Sequence, residues 1–126
     1  MTMRATHTII ALLLAVAVHG QTREQVLAEI QRQGIPHAHI VLAQARLETG
    51  NFKSDRCQRD HNLFGMKRGL RYAKYANWRE SVRDYKQRIS SRYKGGDYYA
   101  FLRRIGYASD PNYNKKVRHI VKTSQL

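Results

Sequence analysis

Nine acidic residues occur in the chain, and all but one have an obvious structural use or an open setting. Asp97 and Asp110 precede helical patterns as caps, and Glu80 follows Asn77 by three as the far half of a capping box. Glu24 and Glu29 lie on a helix with a polar face. Glu48 is different. It closes the stretch Ile35–Gly50, in which Ile40, Val41, Leu42, Ala43, Ala45 and Leu47 spread apolar surface around most of a helical cylinder. Such a helix belongs in the middle of a domain. Pro36 is expected as its first residue and Gly50 as its stop. Glu48 then sits in the last turn, at the negative end of the macrodipole, and burial adds to the cost of its charge. Both effects raise its pKa, which is how a fold keeps a carboxylic acid protonated as a general acid. The competing reading is a Glu that turns to solvent as the helix ends.

Gln44 lies four residues before Glu48, hence on the same face, where it could orient the carboxyl or meet a sugar amide. Metal chemistry finds no support. His37 and His39 are two apart and point to different sides of a helix, while His61 and His119 stand alone. No phosphate loop, dinucleotide fingerprint or nucleophile elbow is present, and no cofactor is expected. Cys57 is the only cysteine, so an internal disulfide is excluded and a plain free thiol is expected.

The elements that must position Glu48 read as five helices in one mainly α domain. Gln21–Gln33 opens on the capping pattern Thr22-Arg23-Glu24-Gln25 and carries Val26, Leu27 and Ile30 on one stripe. The helix ending at Glu48 follows. Residues Asn51 to Tyr75 show no helical period and read as a long ordered loop with a hairpin through Leu70–Tyr75. Loops of that length in compact domains usually have a function. Asn77 opens a fourth segment, with Trp78, Val82, Tyr85 and Ile89 on one face as far as Tyr93. Asp97 caps a short aromatic helix stopped by Gly106, and Asp110-Pro111 starts a last one that turns Tyr113, Val117, Ile120 and Val121 inward.

The first twenty residues have the form of a secretory signal: Arg4 before an apolar run from Thr8 to Val18, then small residues at Val18-His19-Gly20. A short N-terminal anchor is the competing reading. What remains suffices for one compact domain, 21–126, and loses only Arg4 from a net charge of +14. An exported, strongly basic chain points to an anionic partner in the periplasm or outside the cell, such as an anionic cell-envelope polymer, rather than to nucleic acid.

Three blocks now occur in order: Leu42-Ala43-Gln44-Ala45-Arg46-Leu47-Glu48-Thr49-Gly50, Asn62-Leu63-Phe64-Gly65-Met66-Lys67, and Tyr107-Ala108-Ser109-Asp110-Pro111-Asn112-Tyr113. Together they resemble the bacterial N-acetylglucosaminidase domains of glycoside hydrolase family 73, which cut peptidoglycan, over about Val26 to Val121. The resemblance implies a lysozyme-like, mainly α fold with a cleft beside a small loop or β-lobe. It implies Glu48 as general acid, Tyr107 near the cleavage site, and Asn62 and Phe64 as contacts to sugar on the cleft floor. Core filling for Phe64 and loop capping for Asn62 weigh about equally with contact, and Tyr113 is expected to pack.

The chain departs from the family at the β-lobe, where members often carry a second acid. Between Lys67 and Asn77 there is none, which leaves Glu80 and Asp60 as possible second carboxylates. An inverting glycosidase needs its base about 6.5–9.5 Å from the acid and a retaining one its nucleophile about 5–5.5 Å away; without either, the substrate's own acetamido group can attack. The expected function is cleavage of the β-1,4 bond between N-acetylglucosamine and N-acetylmuramic acid. A weakly active or inactive glycan-binding module of the cell wall is the alternative, and a basic membrane-active or nucleic-acid-binding protein a more distant one.

Overall fold

The computed structural model describes residues Gly20–Ser124, and the expected signal segment falls outside them except for Gly20. Among the described residues there are six α-helices and one minimal hairpin: α1 (Arg23–Arg32), α2 (Ala38–Thr49), α3 (Asp55–Asp60), β1 (Lys67–Arg68), β2 (Arg71–Tyr72), α4 (Trp78–Arg88), α5 (Tyr98–Arg104) and α6 (Tyr113–Thr123), with a 3-10 turn at Ser90–Arg92. The mainly α architecture is the one expected. None of the described helices is long and apolar enough to cross a membrane.

The central element is α2, which packs against α1 on one side and α6 on the other. Val41, Leu42 and Ala45 of α2 join Val26, Ile30, Phe64, Val82 and Phe101 in the main core, while Ala43 turns the opposite way, toward Tyr99, Tyr113 and Val117. A helix with apolar residues on so many sides has neighbours on each of them. Gly50 ends α2 in the left-handed conformation, as expected. Its start differs. Pro36 precedes the helix, and His37 makes the turn with a φ of 54°. The His37 ring is held by a 2.9 Å hydrogen bond to the Tyr93 hydroxyl and lies against Tyr98, so tertiary contacts place the first helical residue at Ala38.

Cap chemistry explains most other boundaries. Thr22 and Gln25 form the reciprocal capping box of α1, Asn77 accepts from the Glu80 amide, and Asp97 accepts from the Tyr99 amide. The last helix begins later than expected. The Asp110 carboxylate takes the Asn112 amide, so Asp110 and Pro111 form a turn and α6 starts at Tyr113. The segment reaching Tyr93 is likewise divided, with α4 ending at Arg88 and a 3-10 turn following.

The stretch 51–75 is more ordered than its lack of period predicts. Ser54 caps α3, a six-residue helix that buries only Cys57, which is a free thiol. The hairpin is placed earlier than expected, with Lys67 opposite Tyr72 and Arg68 opposite Arg71. Asn62 fastens this lobe. Its amide donates to the Met66 carbonyl at 2.9 Å and the Ala73 carbonyl at 3.0 Å, and its oxygen accepts the Met66 amide at 3.0 Å. Asn62→Ala strands these buried backbone groups, each at about 1–3 kcal/mol. The variant is expected to lose about 3 kcal/mol, read as a lower urea midpoint with unchanged slope. A midpoint equal to that of the parent counts against this role.

Candidate active site

Glu48 leaves the last turn of α2 half-buried and opens into a cleft of about 650 Å³. Phe64, Gly65, Tyr107 and Tyr113 line the cleft beside it, with Lys67, Arg88, Arg92 and Lys116 supplying positive charge. Burial pushes the Glu48 pKa up; a hydrogen bond from Tyr113 and the charge of Arg56 oppose that shift without reversing it. The raised value is the direction the sequence predicts, and desolvation is its main cause.

The Asn-Leu-Phe-Gly turn reaches the carboxyl through its glycine. Gly65 has a φ of +64°, and a Cβ there would lie 2.9 Å from Glu48 Oε2. Backbone and carboxyl can approach so closely only where no side chain intervenes. Phe64 lines the cleft with little exposure, its ring 4.5 Å from that of Tyr85. Asn62 does not line the cleft; it is fully buried and spends its amide on the lobe backbone. An expected sugar contact is therefore a fastener, because its partners are four and eleven residues further along the chain.

Gln44 is also withdrawn from the cleft. It is fully buried, accepts from the Tyr85 hydroxyl at 2.6 Å and donates to the Tyr113 hydroxyl at 3.2 Å. The Tyr85 hydroxyl also lies 2.6 Å from that of Tyr98. Contact with a sugar amide is incompatible with these partners. Tyr107 lies half-buried on the cleft wall, its hydroxyl 3.5 Å from the Phe64 carbonyl and beside Tyr113. Tyr113, expected only to pack, lines the cleft together with Glu48. Its place in the third sequence block, six residues after Tyr107, was the one available signal.

Neither expected second carboxylate lines the cleft. Glu80 caps the Ala76 amide at 3.1 Å, and Asp60 contributes its backbone carbonyl to the Tyr75 amide. The cleft's other acid is Asp110. Lys116 at 2.6 Å and the Asn112 amide engage both its oxygens and hold its pKa below the usual carboxylate range. Among the described residues no group of three histidine, cysteine or acidic side chains could hold a metal ion.

One half-buried acid with a raised pKa, beside a glycine turn in an open cleft, suits proton donation to a leaving oxygen. A family model described as glucosaminidase, mannosyl-glycoprotein endo-β-N-acetylglucosaminidase, matches residues 23–126. The chain belongs to the glucosaminidase family. No curated protein and no solved structure matches it. The family is one of glycoside hydrolases, and the match covers every element from α1 to α6.

Proposed function

We propose that this glucosaminidase is exported and cleaves the β-1,4 bond between N-acetylglucosamine and N-acetylmuramic acid in peptidoglycan, with Glu48 as the general acid. The observation that carries the reading is the Glu48 carboxyl itself, raised in pKa by burial and seated against Gly65 at the mouth of a cleft. Protonated Glu48 donates its hydrogen to the glycosidic oxygen as the bond to the anomeric carbon breaks. Asp110 is engaged by Lys116, so the positive charge developing at that carbon meets no free carboxylate from the cleft lining. The acetamido oxygen of the substrate attacks the anomeric carbon instead and forms a cyclic oxazolinium. Water then opens the ring, giving its proton to the Glu48 carboxylate and restoring the acid. Tyr107 and Phe64 line the cleft; in this reading Tyr107 orients the acetamido group and Phe64 offers an apolar floor to the sugar.

Mass spectrometry of muropeptides released from purified peptidoglycan tests the bond, and proton NMR of early product tests the stereochemistry. New reducing ends on N-acetylglucosamine, first appearing as the β anomer, are expected. Reducing ends on N-acetylmuramic acid overturn the bond, and an α anomer overturns the acetamido route. No release by folded protein that still pellets with walls favours the glycan-binding module.

The net charge of +14 supports attraction to anionic envelope polymers. Long-range attraction is screened as the Debye length falls from about 10 Å at 0.1 M salt to about 3 Å at 1 M. Pelleting with purified walls is expected to drop several-fold over that range, and salt-independent pelleting removes the idea.

A further inference from the structure

The cations of the cleft are not all alike in their partners. Lys116 is matched by Asp110, with which it makes a 2.6 Å ion pair. Lys67, Arg88 and Arg92 instead form one continuous strip of the lining. The Arg88 guanidinium donates through Nη2 to the Lys67 carbonyl at 2.9 Å, and the Arg92 guanidinium makes a 3.4 Å contact with the Arg88 carbonyl. Arg88 is pinned from a second side by Asp84, whose carboxylate lies 3.2 Å from Nη1. That carboxylate is shared, because Arg68 stands 3.6 Å from the same oxygen. One acid therefore serves two guanidiniums. Among the described residues neither Lys67 nor Arg92 makes an ion pair, so the strip keeps a strong excess of positive charge. Donors remain free as well. A guanidinium carries five N–H groups, and Arg88 uses one on Asp84 and one on Lys67. All three side chains are exposed and within reach of a ligand in the cleft.

Solubility needs charge but not a fixed guanidinium. Arg88 is held at two of its nitrogens, so it loses little freedom in taking a ligand, and its planar fork matches a carboxylate. We propose that Lys67, Arg88 and Arg92 form a carboxylate subsite of the cleft, which selects acidic glycan over neutral glycan of the same length. The proposal rests on the reading of peptidoglycan as substrate, in which every second sugar carries a lactyl ether. That ether ends in a carboxyl group, either free or amide-linked to a stem peptide that has carboxylates of its own. The same chemistry thus has two sources. With Glu48 protonated and Asp110 paired to Lys116, no free acid of the lining repels the incoming carboxylate. The strip attracts it at short range, where a ligand in the cleft is partly shielded from water.

The test is calorimetric titration of Glu48→Gln, in which cleavage is slowed, with tetrasaccharides of alternating N-acetylglucosamine and N-acetylmuramic acid. The tetrasaccharides carry free lactyl carboxylates or stem peptides, and each is also made with its carboxylates converted to neutral amides. At low salt the acid form is expected to bind about 3–10-fold more tightly than its amide, the sum of two or three exposed charge contacts. A preference within the first pair places the subsite on the lactyl group, and one within the second pair alone places it on the stem; either upholds it. Adding Lys67→Gln and Arg92→Gln together is expected to reduce the preference to less than about 2-fold. Arg88 is left in place because it holds the Lys67 carbonyl. Lys53→Gln with Lys122→Gln removes the same charge from exposed positions outside the cleft lining, and the preference is expected to persist. Equal affinity for acid and amide in both pairs overturns the inference while keeping the glycan as ligand. A preference that survives Lys67→Gln with Arg92→Gln, or one lost equally in the control, also overturns it. No binding of any of the four ligands removes the substrate reading together with the subsite.

Discussion

Glu48→Gln is expected to slow glycan cleavage by about 10²–10⁴-fold, the usual contribution of a positioned general acid. The amide fills the same space, but it has no acidic proton to give. The same change is expected to stabilise the fold near neutral pH. Burial raises the native pKa of Glu48 above its unfolded value, so forming the native carboxylate costs free energy. That cost is absent below the unfolded pKa near 4.5, grows as pH rises through the interval up to the native pKa, and is fully present above it. Glutamine removes it. Thermal unfolding should therefore show a higher midpoint for Glu48→Gln at pH 7 and converging midpoints at pH 4. Full activity in the variant overturns the assignment of the acid. Lost activity with a lower midpoint at pH 7 instead points to damaged packing.

The parts of this design that follow from local rules were legible in the sequence. Thr22 with Gln25, Asn77 with Glu80, and Asp97 each name a helix start, because the side chain and the amide it caps lie within three residues. The apolar girdle of α2 named the central helix, and the burial of Glu48 within it named the direction of its pKa shift. Gln44 failed to show because its partners arrive from far along the chain. Gln44 finds Tyr85 and Tyr113 at separations of 41 and 69 residues, so spacing alone could place it beside Glu48 but not turn it inward. Asp110-Pro111 carries a strong start signal, yet the Asp110 side chain closes a turn and meets Lys116. The short helix Asp55–Asp60 buries one side chain, too few for a period to register. A second carboxylate could not be found by sequence reasoning, and the cleft lining offers only Asp110, already paired.

Gly65→Ala is expected to have the second-largest effect, because two independent costs meet at one atom. The left-handed φ of +64° disfavours any residue with a Cβ, by about 1–2 kcal/mol. The added methyl would also stand 2.9 Å from Glu48 Oε2, closer than such atoms come in folded proteins. Something has to move. The turn itself is held through Asn62, whose three hydrogen bonds tie Met66 and Ala73 to the lobe, so the carboxyl is the softer partner. Displacing Glu48 takes it out of line with the leaving oxygen, and a shift of about 1 Å at a reacting group can cost 10²-fold in rate. Cleavage of purified peptidoglycan by Gly65→Ala should accordingly fall about 100-fold, while urea denaturation shows a loss of about 2 kcal/mol. Gly34 provides the control: its φ is +73° but nothing lies within 4 Å of the position its Cβ would take. Gly34→Ala is expected to lose similar stability with cleavage unchanged. Equal activity in the two variants would show that contact with Glu48 is not what reserves position 65 for glycine.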